Sequence, residues 1–177
     1  MGKWRSAACL AFVLTASGTA AAQDHGQVGV TMAFPAAIGV IFHATDKVAV
    51  RPEFTFTRNT SETPAINASS WSFGTGISAL FYLSSQDHVQ TYISPRFSYE
   101  HGSSSAEGLT AISDTTSNGT GFGGSFGAEY SPSSRFSVFG ELGIAYTHSK
   151  STSSVSSVEV KGNSWGTRAG VGIIFYP

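Results

Sequence analysis

The chain has 177 residues, 12% of them charged, 12% aromatic and 41% hydrophobic, with 20 Gly and a formal net charge of −1. That charged share is about half the usual quarter of a soluble globular domain. The near-neutral balance excludes the concentrated basic patch that nucleic-acid binding requires, and so much apolar content at so little charge excludes a disordered chain.

Residues 1–22 read as a signal peptide. Lys3 and Arg5 come first, Ala7 to Leu14 is apolar, and Ala20-Ala21-Ala22 supplies a small-x-small cleavage pattern before Gln23. This is the three-part order of secretory signals, and the apolar stretch is too short to span a bilayer. Cys9 lies near the start of that stretch rather than at its end, so it reads as a passive member of the signal and not as a lipoprotein attachment point. Residues 23–177 then form a single mature domain. Its Lys and Arg number 8 instead of 10 against 11 acids, a formal charge of −3, and it carries no cysteine. Disulfide staples, thiol catalysis and cysteine metal ligation are therefore excluded.

Period-two alternation, the signature of strands, runs through the mature chain. Gln27–Phe34 carries Val28, Val30, Met32 and Phe34 on one parity, and Ala36–His43 follows after a bend near Pro35. The alternative is one long bent strand from Gln27 to His43, since proline sits readily at a bulge. Lys47–Arg58, Ser69–Leu83, His88–His101, Gly119–Tyr130, Arg135–Ser149 and Asn163–Tyr176 complete a count of eight. Gly, Ser, Thr and aromatic content makes helix a poor reading of any of them. Three connections are tight (Ala44 to Lys47, Ser84 to Asp87, Ser131 to Ser134), and three are long and polar (Asn59 to Ala68, Gly102 to Asn118, Ser151 to Gly162). Short turns at one end and long loops at the other describe an antiparallel up-and-down transmembrane β-barrel, all-β, with both termini periplasmic and the long loops extracellular.

The polar parity decides which face looks inward. It collects Arg51, Glu53, Arg96, Glu100, Glu129, Glu141 and Arg168 among many Gly and Ser, while the opposite parity is almost free of charge. In a soluble core each such charge would cost several kcal/mol unless paired. Inside a membrane barrel of eight strands, just wide enough for side chains to fill, they form a hydrogen-bonded plug. Trp71, Tyr99, Tyr146 and Trp165 stand at the loop ends of outward parities, and Tyr130 and Phe136 flank a tight turn at the other end. These positions suit the two aromatic girdles of a membrane barrel.

Arg168-x-Gly170-x-x-Ile173-x-Phe175 resembles the polar-x-Gly-x-x-hydrophobic-x-aromatic signal recognised by the outer-membrane assembly machinery, with Tyr176 and Pro177 following where the aromatic usually ends the chain. Together with Trp71-Ser-Phe-Gly, Phe126-Gly-Ala-Glu-Tyr130 and Ser164-Trp-Gly-Thr-Arg-Ala-Gly-Val-Gly172, the mature chain resembles the small outer-membrane β-barrel family, the OmpX/OmpA-type barrel domains. The resemblance implies an eight-stranded, monomeric barrel in the bacterial outer membrane. Its partners would be outer-membrane lipid, lipopolysaccharide and the barrel assembly machinery. It carries no implication of a particular activity.

Chemistry is sparse. His25, His43, His88, His101 and His148 match no metal-ligand spacing. Glu100-His101-Gly102-Ser103 could suggest a nucleophilic site of the kind used by outer-membrane lipid A-modifying enzymes, but Ser103 lies in a serine-rich segment where a nearby serine is expected by chance. Gly121-Phe-Gly-Gly124 lacks the Lys-Ser/Thr and helix of a nucleotide loop. The expectation is a non-enzymatic barrel without cofactor or metal, structural or surface-interactive in role. A narrow small-solute channel is the first rival and a lipid A-modifying enzyme the second.

Overall fold

The computed structural model describes residues 26–35, 37–63, 66–108, 112–154 and 158–177. The expected signal peptide at residues 1–22 lies outside them. Eight strands follow in order: β1 (Val28–Phe34), β2 (Ala37–Thr45), β3 (Val48–Glu62), β4 (Ile66–Gln86), β5 (Val89–Gly108), β6 (Ile112–Ser133), β7 (Phe136–Ser153) and β8 (Glu159–Phe175). Each pairs antiparallel with its neighbours and β1 pairs with β8, closing the barrel. Gln27 to His43 is thus a hairpin and not one bent strand.

The register fixes the barrel's shape. Met32 leads through Ile38, Phe54, Thr75, Tyr99, Thr120 and His148 to Asn163, ten positions along β8 from Ile173, Met32's direct partner. A stagger of that size in eight strands tilts them about 40° to the axis. The resulting lumen is narrow, and outward positions carry the large apolar side chains. Phe34, Phe56, Phe122, Leu142 and Trp165 are all exposed, whereas Arg51, Glu53 and Glu129 are buried. This is a soluble protein turned inside out, and it is the arrangement in which lipid, not water, faces the apolar parity.

The three long polar segments expected as loops are mostly strand. β3 and β4 stay paired to Glu62↔Asn67, β5 and β6 to Glu107↔Ile112, and β7 and β8 to Thr152↔Glu159. The physical reason is that period two reports a difference between the two faces. Where both faces are polar the alternation vanishes, although the backbone ladder continues. The tight turns are also shorter than expected, reduced to Asp46–Lys47, Asp87–His88 and Ser134–Arg135. Asp87 takes φ 50°, a left-handed conformation that aspartate tolerates better than most residues.

One part of the wall is low. The β1–β8 ladder ends at Phe34↔Val171 and the β2–β3 ladder at Ala37↔Thr55. Among the described residues, β3 above Thr55 and β8 above Val171 pair on one side only. The lower half is therefore a closed eight-stranded ring, and the upper half is a six-stranded trough running from β3 to β8, open above the first hairpin.

Small residues make the narrow lumen possible. A Cβ added to Gly172 would lie 2.5 Å from the Phe139 ring and 2.6 Å from the Met32 carbonyl oxygen, whereas one on Gly140 would meet nothing within 4 Å. Gly172→Val should destabilise the folded barrel by about 1–3 kcal/mol through overpacking. Gly140→Val on the outer face should leave it unchanged. Urea titration in detergent micelles, read by tryptophan fluorescence, compares the two.

Candidate functional site

The lumen holds the chemistry in two layers. The lower layer is aromatic and hydroxyl-rich. Tyr82 Oη donates to Glu129 Oε2 at 3.0 Å, Tyr176 Oη donates to Glu129 Oε1 at 3.5 Å, and His43 Nε2 shares a 3.1 Å hydrogen bond with Tyr176 Oη. The His43 ring stacks on Tyr82 with centroids 5.7 Å apart, and Tyr82 meets Tyr92 edge-on at 5.5 Å. Ile41, Leu80 and Ile174 fill the remaining space. This end of the barrel is stoppered.

Above it lies the ion cluster. Arg51 Nη2 donates to Glu141 Oε1 at 2.5 Å, joining β3 to β7 across the lumen. Arg51 Nε also faces Glu53 Oε1 at 3.4 Å, and Arg96 on β5 closes on Glu53 in a tight ion pair. Arg168 Nη1 donates to Glu141 Oε2 at 3.3 Å, and Tyr92 Oη donates to Glu141 Oε1 at 3.0 Å, tying the two layers together. The Phe139 ring sits 4.7 Å beneath the Arg51 guanidinium, close enough for a cation–π contact. Arginine suits this position because its planar fork serves two carboxylates at once. Three guanidinium groups share two carboxylates. The two Glu side chains are 2% exposed, while Arg96 and Arg168 are 15% and 29% exposed, so the open side of the cluster is cationic.

The structure brings Arg51, Glu53, Arg96, Glu141 and Arg168 into that one cluster. Glu129 is separate, held by the tyrosines of the lower layer. Glu100 requires a correction. It faces inward, but four positions above Arg96, where it is exposed and makes no ion pair among the described residues. Its level is that of the upper cavity, above the lumen ion pairs formed among the described residues. A cavity of about 220 Å³ occupies this level, lined by Glu53, Arg96, Ser98, Glu100, Gly121 and Arg168.

Trp71, Tyr99 and Trp165 are exposed on the outer face at the upper level, with Tyr146 packed 5.1 Å from Trp165. Tyr130 and Phe136 stand on the outer face near the lower turns. In the assembly pattern, Ile173 and Phe175 point outward, while Arg168 lines the lumen. Two matching polar trios cap the upper girdle. Tyr99 Oη and His101 Nδ1 meet Asn118 Oδ1 at 2.9 and 2.7 Å, and Tyr146 Oη and His148 Nδ1 meet Asn163 Oδ1 at 2.9 and 2.7 Å. His101 thus faces outward and Glu100 inward, so Glu100, His101 and Ser103 do not form a catalytic relay. His43 is buried in the lower layer, within hydrogen-bond distance of the Tyr176 hydroxyl.

Sequence reasoning missed His43, Tyr82, Tyr92, Phe139 and Tyr176 as lumen residues. Parity held the signal for Tyr92, two positions from buried Ser94, and for Phe139, between buried Ser137 and Glu141. Large aromatic size pointed the wrong way.

Glu141 holds the cluster together. Glu141→Gln leaves Arg51 buried with only Glu53 beside it, and should cost about 3–5 kcal/mol, as breaking a buried ion pair does. Glu100→Gln should change stability by less than about 0.5 kcal/mol, as exposed substitutions do. Urea midpoints of the two variants in micelles check the contrast.

No family model matches the chain, and no curated protein does. Solved structures do. A major outer membrane protein from Thermus thermophilus superposes with TM-score 0.59 at 11% identity, covering 85% of this chain and 98% of that one. Ail, the attachment invasion locus protein of Yersinia pestis, superposes with TM-score 0.51 at 13% identity, covering 85% and 94%. At these identities the likeness is one of fold: the chain has the eight-stranded barrel architecture found in small bacterial outer-membrane proteins.

Proposed function

We propose that the chain is an integral outer-membrane protein of structural or cell-surface role, monomeric, non-enzymatic and closed to solute passage. The observation that carries this reading is the pair of faces: a continuous apolar outer surface on a barrel whose lumen is crossed by the Arg51–Glu141 tie. An apolar band of this kind needs lipid around it. A lumen filled by Tyr82, Tyr92, Glu129, Tyr176 and the ion cluster leaves no continuous water path, which argues against the channel rival.

Above the girdle, three tall hairpins rich in Ser, Thr and Asn stand where a surface partner would meet the protein. Ail is by name an attachment protein. By analogy of fold alone, these hairpins are the surface on which contact would occur here. They carry few of the aromatic or arginine anchors that dominate binding hot spots, so such contact would be polar. Lipopolysaccharide is the expected neighbour of the outer leaflet, with Arg58 paired beside the girdle residue Trp71 and Lys150 and Lys161 above the girdle, all on the outward parity. Insertion would depend on the assembly machinery through Ile173 and Phe175.

Two measurements test the proposal. Unboiled protein from fractionated outer membranes should run compactly on a detergent gel and shift on boiling; recovery as a soluble periplasmic protein would overturn the membrane reading. In planar lipid bilayers the purified protein should give no discrete conductance steps. Steps that grow in Arg51→Ala would establish the channel instead.

A further inference from the structure

The opening above the first hairpin is more than a missing piece of wall. Gly170 on β8 is level with the hairpin tip, and the girdle residue Trp165 lies five positions further up. At roughly 2.5 Å of height per tilted residue, the tip stands on the order of 10 Å below the outer girdle. The opening therefore reaches down into the apolar band of the outer leaflet. Both strands flanking it show its effect. Thr57, Asn59 and Ser61 on β3 and Ser164 and Gly166 on β8 are exposed although their parity faces inward, whereas Ser70 and Ser72 on β4 are half-buried and Gly102 on β5 is buried.

Three spaces meet there. Inside, a cavity of about 360 Å³ runs from the sill of Ala33, Pro35 and Ala37 to Glu141, Arg96 and Arg168. Outside, an apolar groove of about 400 Å³ is lined by Met32, Ile38, Phe54 and Phe56, with the same Ala33 and Ala37. The upper lumen cavity shares Glu53, Arg96 and Arg168 with the first and is lined by Glu100 as well. The first two volumes lie in the range of small-molecule sites. The path leads from a lipid-facing hydrophobic groove, over two alanines, to the exposed sides of two guanidinium groups. Three Arg to two Glu leaves the cluster with a positive excess; Glu53 and Glu141 line this cavity too, but they are only 2% exposed against 15% and 29% for Arg96 and Arg168. Unpaired strand edges at hydrocarbon depth are costly unless something covers their polar groups.

We propose that this opening is a lateral binding site for a single-chain anionic amphiphile of fatty-acid type. Its carboxylate is held by Arg96 and Arg168, and its chain lies over Ala33 and Ala37 against Met32, Ile38, Phe54 and Phe56. The charge excess selects an anion, the continuous apolar groove selects an attached chain, and the depth of the sill sets entry from the outer leaflet rather than from water. The site rests on the barrel standing in lipid, and it adds a ligand to a protein proposed above as closed to solutes.

The test uses the mature protein in phosphatidylcholine nanodiscs, with protein-free discs as blank and 11-(dansylamino)undecanoate as fluorescent probe. Saturable binding is expected, displaced by dodecanoate at least tenfold more effectively than by dodecanol, and not by inorganic phosphate. Arg168→Gln should weaken the probe at least tenfold. Ala169→Trp, an outward change at the mouth of the cavity that leaves every ion pair intact, should do the same by filling the entrance. Each variant is first scored for heat-dependent migration, so that a barrel that fails to form and a barrel with no ligand give different results. Equal displacement by dodecanol and dodecanoate, binding no greater than in blank discs, or folded variants that bind like the parent would overturn the proposal.

Discussion

The barrel is closed by a seam of five paired positions, Val30↔Phe175 to Phe34↔Val171. The ladders of β4 to β8 are more than three times as long. In lipid every backbone polar group must be satisfied within the protein, so a ring that fails to close at one seam fails as a whole. The short seam is reinforced from both sides. Gly26 N donates to His43 O and His43 N to Gln27 O at 2.9 and 3.0 Å, prolonging the first hairpin below β1. Tyr176 N donates to Arg135 O at 2.9 Å, prolonging β8. The Tyr176 ring then crosses inward beneath β1, where an added Cβ on Gly29 would lie 2.8 Å from it. Glycine at that position is what lets the last aromatic side chain lock the seam from within.

The ion cluster complements this closure. Replacing a buried ion pair by apolar groups is often neutral or stabilising, so the cluster is better understood by what it connects than by stability alone. Arg51 and Glu141 join β3 to β7 across the lumen, Arg96 brings in β5, and Arg168 brings in β8, so four strands share one set of contacts. Space for it comes from glycine: a Cβ at Gly76 would lie 2.6 Å from Arg96 Nη2. Bulky groups crowd the lower half, while Gly, Ser and Thr line the upper half. The result is a vessel stoppered below and hollow above.

Outward parity, strand number and the inward charges were legible in the sequence because lipid and lumen impose opposite demands on alternate residues. Trp71, Phe73, Ile77 and Phe81 against Gly74, Gly76 and Ser78 can be read without any structure. The upper strands were not legible for the converse reason, since Ser103 to Ala106 and Thr115 to Ser117 have water on both sides and no pattern to show. Tyr176 was hidden by its place after the assembly pattern, which drew it as a terminal excess rather than as a core residue. Glu100 was misjudged because parity tells direction but not height. Facing inward at the level of the stopper means burial among partners, and facing inward at the level of the trough means exposure.

Height is also what links the seam to the opening in the wall. β1 has 7 residues and β2 has 9, against 15 to 22 in the other six strands. One short hairpin thus sets both the weak closure below and the unpaired edges of β3 and β8 above. Lengthening it would add rungs to the seam and satisfy those edges, so stability alone favours longer strands. It would also close the opening at which the cavity lined by Arg96 and Arg168 meets the outer apolar groove. A short hairpin whose closure needs reinforcement by Tyr176 and Gly29 makes physical sense if access from the membrane to those two arginines is what it preserves.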